Sequence, residues 1–436
     1  MGAPVPLHIV SLGCARNEAD SEELAARFLE GGFSLVSDVG AAEVVVVNTC
    51  GFIEAAKSES IEEILGVAEL KREGNLRAVV AVGCLAQRYG AELAASLPEA
   101  DAIIGFDGYE DIAGRVRALM GPAGRRAPKR LPGWLPQQRV RLSGSPMAPL
   151  KIASGCDRRC TFCAIPAIRG PLRSRPVAQI VNEARWLAAK GVKELFLVSE
   201  NTTAYGKDLA GGTGLEALLA KLSGVEGIER VRLSYLLPSQ VRPPLIEAVA
   251  ATDRVAPYFD LPFQHAARAV LARMGRRGDA AAFLDLLERI RVAVPGAGIR
   301  SNVIVGFPGE TEADVAELTQ FLGQAQLDAV GVFAYSDEEG TPAAELDGHL
   351  DAAEIAARVS QVASFVDTVS ALRAEARIGE DVTVLVESVA DGLATGRAGQ
   401  QGPEDGRSYW RGYAEPGEIV TGRIGSTDGV DWNVEN

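Results

Sequence analysis

Six cysteines carry the clearest chemical potential of this chain: Cys14, Cys50, Cys84, Cys156, Cys160 and Cys163. The last three form Cys-x-x-x-Cys-x-x-Cys within eight residues, and the 273 residues that follow contain no further cysteine. Three thiolates so spaced can face one point when they sit on a loop after a strand, here Leu150-Lys151-Ile152-Ala153. A closed zinc tetrahedron needs a fourth protein ligand. The nearest histidine in sequence is His265, to which no role is assigned, and no fourth cysteine lies nearby. On a 4Fe–4S cluster, three thiolates leave one iron without a protein ligand, and an open iron can chelate a small molecule.

Cys14, Cys50 and Cys84 are separated by 36 and 34 residues, each about one βα unit. In a parallel sheet, equivalent strand ends lie along one edge, so these thiols can converge there. One such cysteine would be an ordinary buried hydrophobe; packing does not account for three at one topological position. A phosphate loop is disfavoured because no Walker lysine is present. The spacing predicts a second three-thiolate cluster with its own open iron. Disulfides are not expected, since Leu12-Gly13-Cys14 lacks the basic start and apolar region of a signal peptide.

The elements that must hold these thiols follow from hydrophobic pattern. Over residues 1–120, strands at Leu7–Leu12, Glu43–Asn48, Arg77–Val82 and Ala102–Ile104 alternate with helical segments, predicting a parallel α/β domain. Residues 121–150 carry six prolines and Arg125, Arg126, Lys129, Arg130, Arg139 and Arg141, with no acid, which reads as a solvated basic linker. Over 151–372 the βα alternation resumes, with strands at Glu194–Val198, Val231–Ser234, Ala256–Leu261, Ile299–Val305 and Ala329–Tyr335. That predicts a partial or complete (β/α) barrel with its functional groups on the loops after the strands. A long helix near Asp351–Arg377 leads into residues 373–436, where short glycine-punctuated strands predict a small all-β domain. At 436 residues, about three domains are expected. No apolar run reaches the ~18 residues of a membrane span. A net charge of −14 disfavours a general nucleic-acid binder.

Gly155-Cys156-Asp157-Arg158-Arg159-Cys160-Thr161-Phe162-Cys163 resembles the radical S-adenosylmethionine superfamily, in which the motif has this spacing and an aromatic before its last cysteine, here Phe162. The resemblance implies that Cys156, Cys160 and Cys163 hold a 4Fe–4S cluster. Its open iron would bind S-adenosylmethionine and yield a 5′-deoxyadenosyl radical. Two other stretches suit cofactor binding. Glu200, in Ser199-Glu200-Asn201-Thr202, ends a strand where a cofactor amine could be held, although a helix cap at Ser199 or Asn201 would explain the polarity equally. Gly306, in Ile304-Val305-Gly306-Phe307-Pro308-Gly309, makes a turn that lets backbone approach a ligand or serves only steric need.

Ser11-Leu12-Gly13-Cys14-Ala15-Arg16-Asn17, Asn48-Thr49-Cys50-Gly51-Phe52-Ile53 and Gly83-Cys84-Leu85-Ala86-Gln87-Arg88 resemble the amino-terminal domain of the methylthiotransferase family. The likeness covers nearly the whole chain, its carboxy-terminal module being similar to the TRAM domain. It implies two 4Fe–4S clusters and S-adenosylmethionine as cofactors, with Cys14, Cys50 and Cys84 holding the cluster that presents sulfur. Two substrate classes exist in this family, a tRNA adenosine and an aspartate of the twelfth protein of the small ribosomal subunit. Asp260-Leu261-Pro262-Phe263-Gln264-His265-Ala266 and Gly331-Val332-Phe333-Ala334-Tyr335-Ser336-Asp337 look like the second. The implied reaction replaces a C–H bond at the aspartate β-carbon with C–S–CH3. Glu375–Asn436, with five arginines, no lysine and twelve acids, suits a basic protein partner and not tRNA. The expected partners are that ribosomal protein, alone or within the ribosome, and a reducing electron donor, in the cytoplasm and away from membranes. Two alternatives stay open at this point, a tRNA adenosine methylthiotransferase and a non-catalytic iron–sulfur carrier or electron-transfer protein.

Overall fold

Val44–Thr49 and Ala78–Gly83 are buried along their whole length, as central strands of a parallel sheet covered on both faces must be. They anchor the first of two compact units in the computed structural model, which describes residues 4–72, 74–121 and 139–436. This unit comprises residues up to Gly144 together with Ala164–Gly170. Its elements run β1 (Val5–Ser11), α1 (Ala15–Glu30), β2 (Phe33–Leu35), β3 (Val44–Thr49), α2 (Glu54–Glu69), β4 (Ala78–Gly83), α3 (Cys84–Ser96), β5 (Ala102–Ile104), α4 (Ile112–Leu119) and the short α5 (Ile165–Arg169). The strands are parallel in the order β2-β1-β3-β4-β5. The direction of winding therefore reverses between β1 and β3, and such switch points open a crevice at the carboxyl ends of the strands. Alternate residues feed two cores: Val44, Val46, Val80 and Val82 on one face, Val45, Val47, Val79 and Ala81 on the other.

Arg125, Arg126, Lys129 and Arg130 of the expected linker lie outside the described residues. Its last part is not solvated as expected. Arg139 is buried against the Glu22 carboxylate on α1, which also accepts from the Leu142 N–H at 3.1 Å and lies 3.4 Å from Arg141. A buried acid on α1 needs cations, and this stretch supplies two.

The second unit contains Ser145–Cys163 and Pro171–Asn436. Its first strand, β6 (Met147–Lys151), begins inside the stretch expected to be linker, and a two-stranded ribbon, β7 (Ala153–Ser154) with β8 (Arg173–Ser174), follows. Parallel sheets β6-β9-β10 and β11-β12-β13 comprise β9 (Glu194–Val198), β10 (Arg230–Leu233), β11 (Tyr258–Asp260), β12 (Gly298–Val305) and β13 (Ala329–Ala334). Val231 bridges them by donating to the Arg254 carbonyl and accepting from the Ala256 N–H. Helices α6 (Val177–Ala189), α7 (Leu215–Ser223), α8 (Pro243–Ala251), α9 (Arg268–Arg273), α10 (Ala280–Ala293), α11 (Glu312–Ala325) and α12 (Ala352–Glu375) complete an open six-stranded (β/α) barrel. Among the described residues no helix is long and apolar enough to cross a membrane.

The chain ends in a closed barrel of order β14-β15-β16-β18-β17, formed by β14 (Asp381–Ala390), β15 (Leu393–Ala398), β16 (Ser408–Trp410), β17 (Ile419–Asp428) and β18 (Asp431–Glu435). It rests on the amino-terminal ends of the larger barrel's strands. Buried Arg230 and Arg232 both pair with Glu194 and donate onward to the carbonyls of Thr383, Arg397, Ala398 and Gly399. Arg300 joins Glu404 and Asp405 to Asp260, whose carboxyl burial pushes up to about 6.

Arg139→Ala is expected to leave Glu22 with a single, more distant cation and to destabilise the first unit by about 3 kcal/mol, the low end for breaking a buried pair. Urea unfolding of the full chain, followed by a probe on this unit, should show the lower midpoint.

Candidate active site: two groups of three thiols

In the first unit the parallel register sets Ser11 beside Asn48, Asn48 beside Val82 and Thr49 beside Gly83. Cys50 and Cys84 are therefore register neighbours just past β3 and β4. Cys14 follows β1 at the same sheet edge. The Cys50 thiol lies within electrostatic reach of both Cys14 and Cys84. Glycines permit the approach. At Gly13 (φ +84°) a Cβ would stand 2.9 Å from Cys50 Cβ and 3.1 Å from its Sγ. At Gly83 (φ +94°) it would stand 2.4 Å from Asn48 Oδ1.

A polar web beneath the thiols fixes these loops. Asn17 Nδ2 donates to the carbonyls of Leu12 and Thr49, while Asn48 Nδ2 donates to the Asn17 carbonyl and Ser21 Oγ. Ser60 Oγ accepts from the Cys50 N–H at 3.0 Å and donates to its carbonyl at 2.9 Å. Cys14 caps α1 and Cys84 opens α3, so both sulfurs sit at the positive ends of helices. Arg16 Nη2 lies 3.9 Å from Cys14 Sγ, and Arg169 Nη2 donates to Cys84 Sγ at 3.3 Å. Burial pushes the Cys50 and Cys84 thiols up. At Cys14 burial acts the same way, but Arg16, the Asn17 N–H and Arg169 outweigh it and hold the thiol below its usual value.

In the second unit, Cys156, Cys160 and Cys163 are partly exposed on the loop after β7. Asp157 fastens that loop by accepting from the Leu172 N–H at 2.9 Å. Thr161 donates from N to the Met274 carbonyl and from Oγ1 to that of Arg273, and Gly275 has no Cβ to strike the Arg159 carbonyl. Arg276 lies within electrostatic reach of all three thiols. Burial lowers its proton affinity and the thiols oppose that; its Nε is buried with no hydrogen-bond partner.

Of the residues singled out from sequence, Glu200 lies past β9 within reach of Cys156, and Phe162 packs on the barrel core. Gly306 ends β12 at φ +83°, its N–H donating to the buried Glu310 carboxylate, and a Cβ there would strike Ile355 at 2.8 Å. Packing alone thus demands a glycine at this turn. His265 is buried, its Nδ1 accepting from the Ala267 N–H and its Nε2 3.4 Å from Glu310. Sequence reasoning missed Ser60, Arg169 and Arg276, whose surroundings carry no spacing signal.

Among the described residues no three His, Cys, Asp or Glu side chains surround a point fit for one metal ion. A single zinc draws its sulfurs to about 2.3 Å, whereas a cluster spreads its thiolates over separate irons. The donor set fits the second case: three soft thiols per group, arginines on or near the sulfurs, and glycines where backbone crowds them.

Two family models match, "Uncharacterized protein family UPF0004" over residues 6–105 and "Radical SAM superfamily" over residues 150–322. Curated relatives named "Ribosomal protein uS12 methylthiotransferase RimO" are 52% identical in Kineococcus radiotolerans, over 97% of this chain and 95% of the relative. In Saccharopolyspora erythraea the identity is again 52%, over 97% and 93%. Among solved structures, the radical S-adenosylmethionine methyltransferase TsrM from Kitasatospora setae, with cobalamin and a [4Fe-4S] cluster bound, aligns at TM-score 0.55. It is 16% identical, over 91% of this chain and 81% of that one, a likeness of fold.

Gly13→Ala is expected to displace Cys50 and so to lower the iron and sulfide that the protein takes up. Iron and sulfide content of anaerobically reconstituted Gly13→Ala protein, beside the unsubstituted chain, measures this.

Proposed function

As the chain belongs to the RimO family of ribosomal protein uS12 methylthiotransferases, we propose how its own residues divide the labour of placing a methylthio group on the β-carbon of an aspartate in that protein. It is a radical S-adenosylmethionine enzyme that uses 4Fe–4S clusters. Relatives with this name favour neither the tRNA adenosine nor the carrier alternative.

Cys156, Cys160 and Cys163 are the proposed ligands of the radical-generating cluster, and Cys14, Cys50 and Cys84 those of the auxiliary one. When bound, these clusters and S-adenosylmethionine supply a 5′-deoxyadenosyl radical and a methylated sulfur. The observation that carries the assignment is the shared edge at which β1, β3 and β4 deliver their cysteines, in a unit separate from the Cys-x-x-x-Cys-x-x-Cys loop. No side-chain base could strip hydrogen from an unactivated carbon at a useful rate, so the radical is necessary. The chain's own groups bind, orient and exclude water. Glu200, past β9 and within electrostatic reach of Cys156, is the proposed partner of the cofactor's ammonium. Gly306 and Phe162 are further proposed cofactor contacts, Phe162 being packed against the barrel core beside the cysteine loop. We assign the amino-terminal domain to residues 1–120, the barrel to the stretch from β6 to residue 372 and a TRAM-like domain to 373–436. The proposed partners are uS12, alone or in the ribosome, and a reducing electron donor, in the cytoplasm.

Under anaerobic reduction, Cys156→Ala is expected to abolish both 5′-deoxyadenosine formation and product. Cys50→Ala is expected to keep adenosyl cleavage and lose thiolation. Chromatography of the nucleoside and mass spectrometry of uS12 read the two outcomes separately, and normal thiolation by Cys50→Ala would sink the auxiliary site.

A further inference from the structure

Helix α5 is five residues long, too short to stand without support. It follows Cys163 in sequence yet packs in the first unit, where Ala164 and Ile168 lie against Cys84 and Phe106. Its last residue, Arg169, has a side chain only 4% exposed, stacked 4.7 Å from the Phe106 ring centre. One nitrogen, Nη2, faces three acceptors: Asp20 Oδ2 at 2.9 Å, Asn17 Oδ1 at 3.1 Å and Cys84 Sγ at 3.3 Å.

Neutralising Asp20 would by itself explain a buried arginine. It would not require the same nitrogen to touch sulfur. From this geometry we infer that Arg169 is a positioning residue for the sulfur chemistry of the Cys14–Cys50–Cys84 group, holding Cys84 by a charge-assisted hydrogen bond and setting the reduction potential there. The inference rests on the reading that these thiols carry a cluster.

The sign follows from charge. Three thiolates on a doubly positive 4Fe–4S core leave one net negative charge, and one-electron reduction adds another. A cationic donor on a ligand sulfur stabilises the more negative form more, so it raises the potential. Arg16, 3.9 Å from Cys14 Sγ, acts in the same sense more weakly. Arg169 is therefore the side chain whose loss should lower the potential most.

The test uses the full chain carrying Cys156→Ala, reconstituted anaerobically so that only the first group is loaded, and titrated with dithionite under electron paramagnetic resonance. Adding Arg169→Gln is expected to lower the reduced-to-oxidised ratio at fixed potential about tenfold, which is about 59 mV for one electron. Arg169→Lys keeps the charge beside Asp20 without the fork and should recover part of that shift. Should Arg169→Gln fail to take up iron, Arg169→Lys against the parent gives the decision, a measurable fall supporting the inference. A loaded variant with unchanged potential and spectrum would overturn it and leave Arg169 to Asp20 alone. A Cys156→Ala parent that binds no iron would instead overturn the two-cluster reading, a failure distinct from the first.

Discussion

Negative charge cannot be gathered at one sheet edge without something to offset it. Two unit charges about 6 Å apart repel by roughly 3 kcal/mol at an effective dielectric near 20. Three such pairs would approach the whole stability of a domain. In the first unit the offsets come from fixed parts of the fold: the helix ends at Cys14 and Cys84, then Arg16 and Arg169. Burial works against them, and only at Cys14 do the cationic and backbone contributions win. On the proposed reading, iron supplies the remaining positive charge, so metal loading and thiol deprotonation are linked.

That electrostatic demand explains why the loops are so tightly built. Each cysteine follows its strand within three residues, leaving little slack, and the adjoining glycines accept contacts no other residue could. Asn17 and Asn48 tie the Cys14 and Cys50 loops to each other and to α1, and Asn17 also accepts from Arg169 on α5. The Cys156 loop is held differently, by backbone contacts with the Met274–Gly275 turn, as suits a loop whose thiols stay partly exposed.

Much of this was legible in sequence because cysteine is rare here and the βα period is regular. The 36- and 34-residue separations carried the first group onto one edge, and strands such as Glu194–Val198 were readable from apolar runs. Short elements escaped: β2 has three residues, and β15 contains Gly396, where the Leu385 carbonyl fills the space a side chain would take. Arg169 escaped for another reason. It belongs in space to a unit whose chain ended earlier in sequence, and no local period signals such a return. Arg139 was misread because prolines and basic residues look like linker chemistry whether or not a buried acid such as Glu22 awaits them.

The acidic carboxy-terminal barrel shows how far net charge can carry an argument about partners. Five of its acids are engaged within the same unit: Glu380 with Arg377, Asp381 with Arg423, Glu387 with Arg397, and Glu404 and Asp405 with Arg300. Arg300 belongs to the larger barrel, so part of the negative excess serves to seat one barrel on the other. Formal charge thus overstates the field this module presents to a basic protein. The buried arginines at this junction, Arg230 and Arg232, are held by Glu194 and by backbone carbonyls of the smaller barrel, so they too serve to seat one barrel on the other.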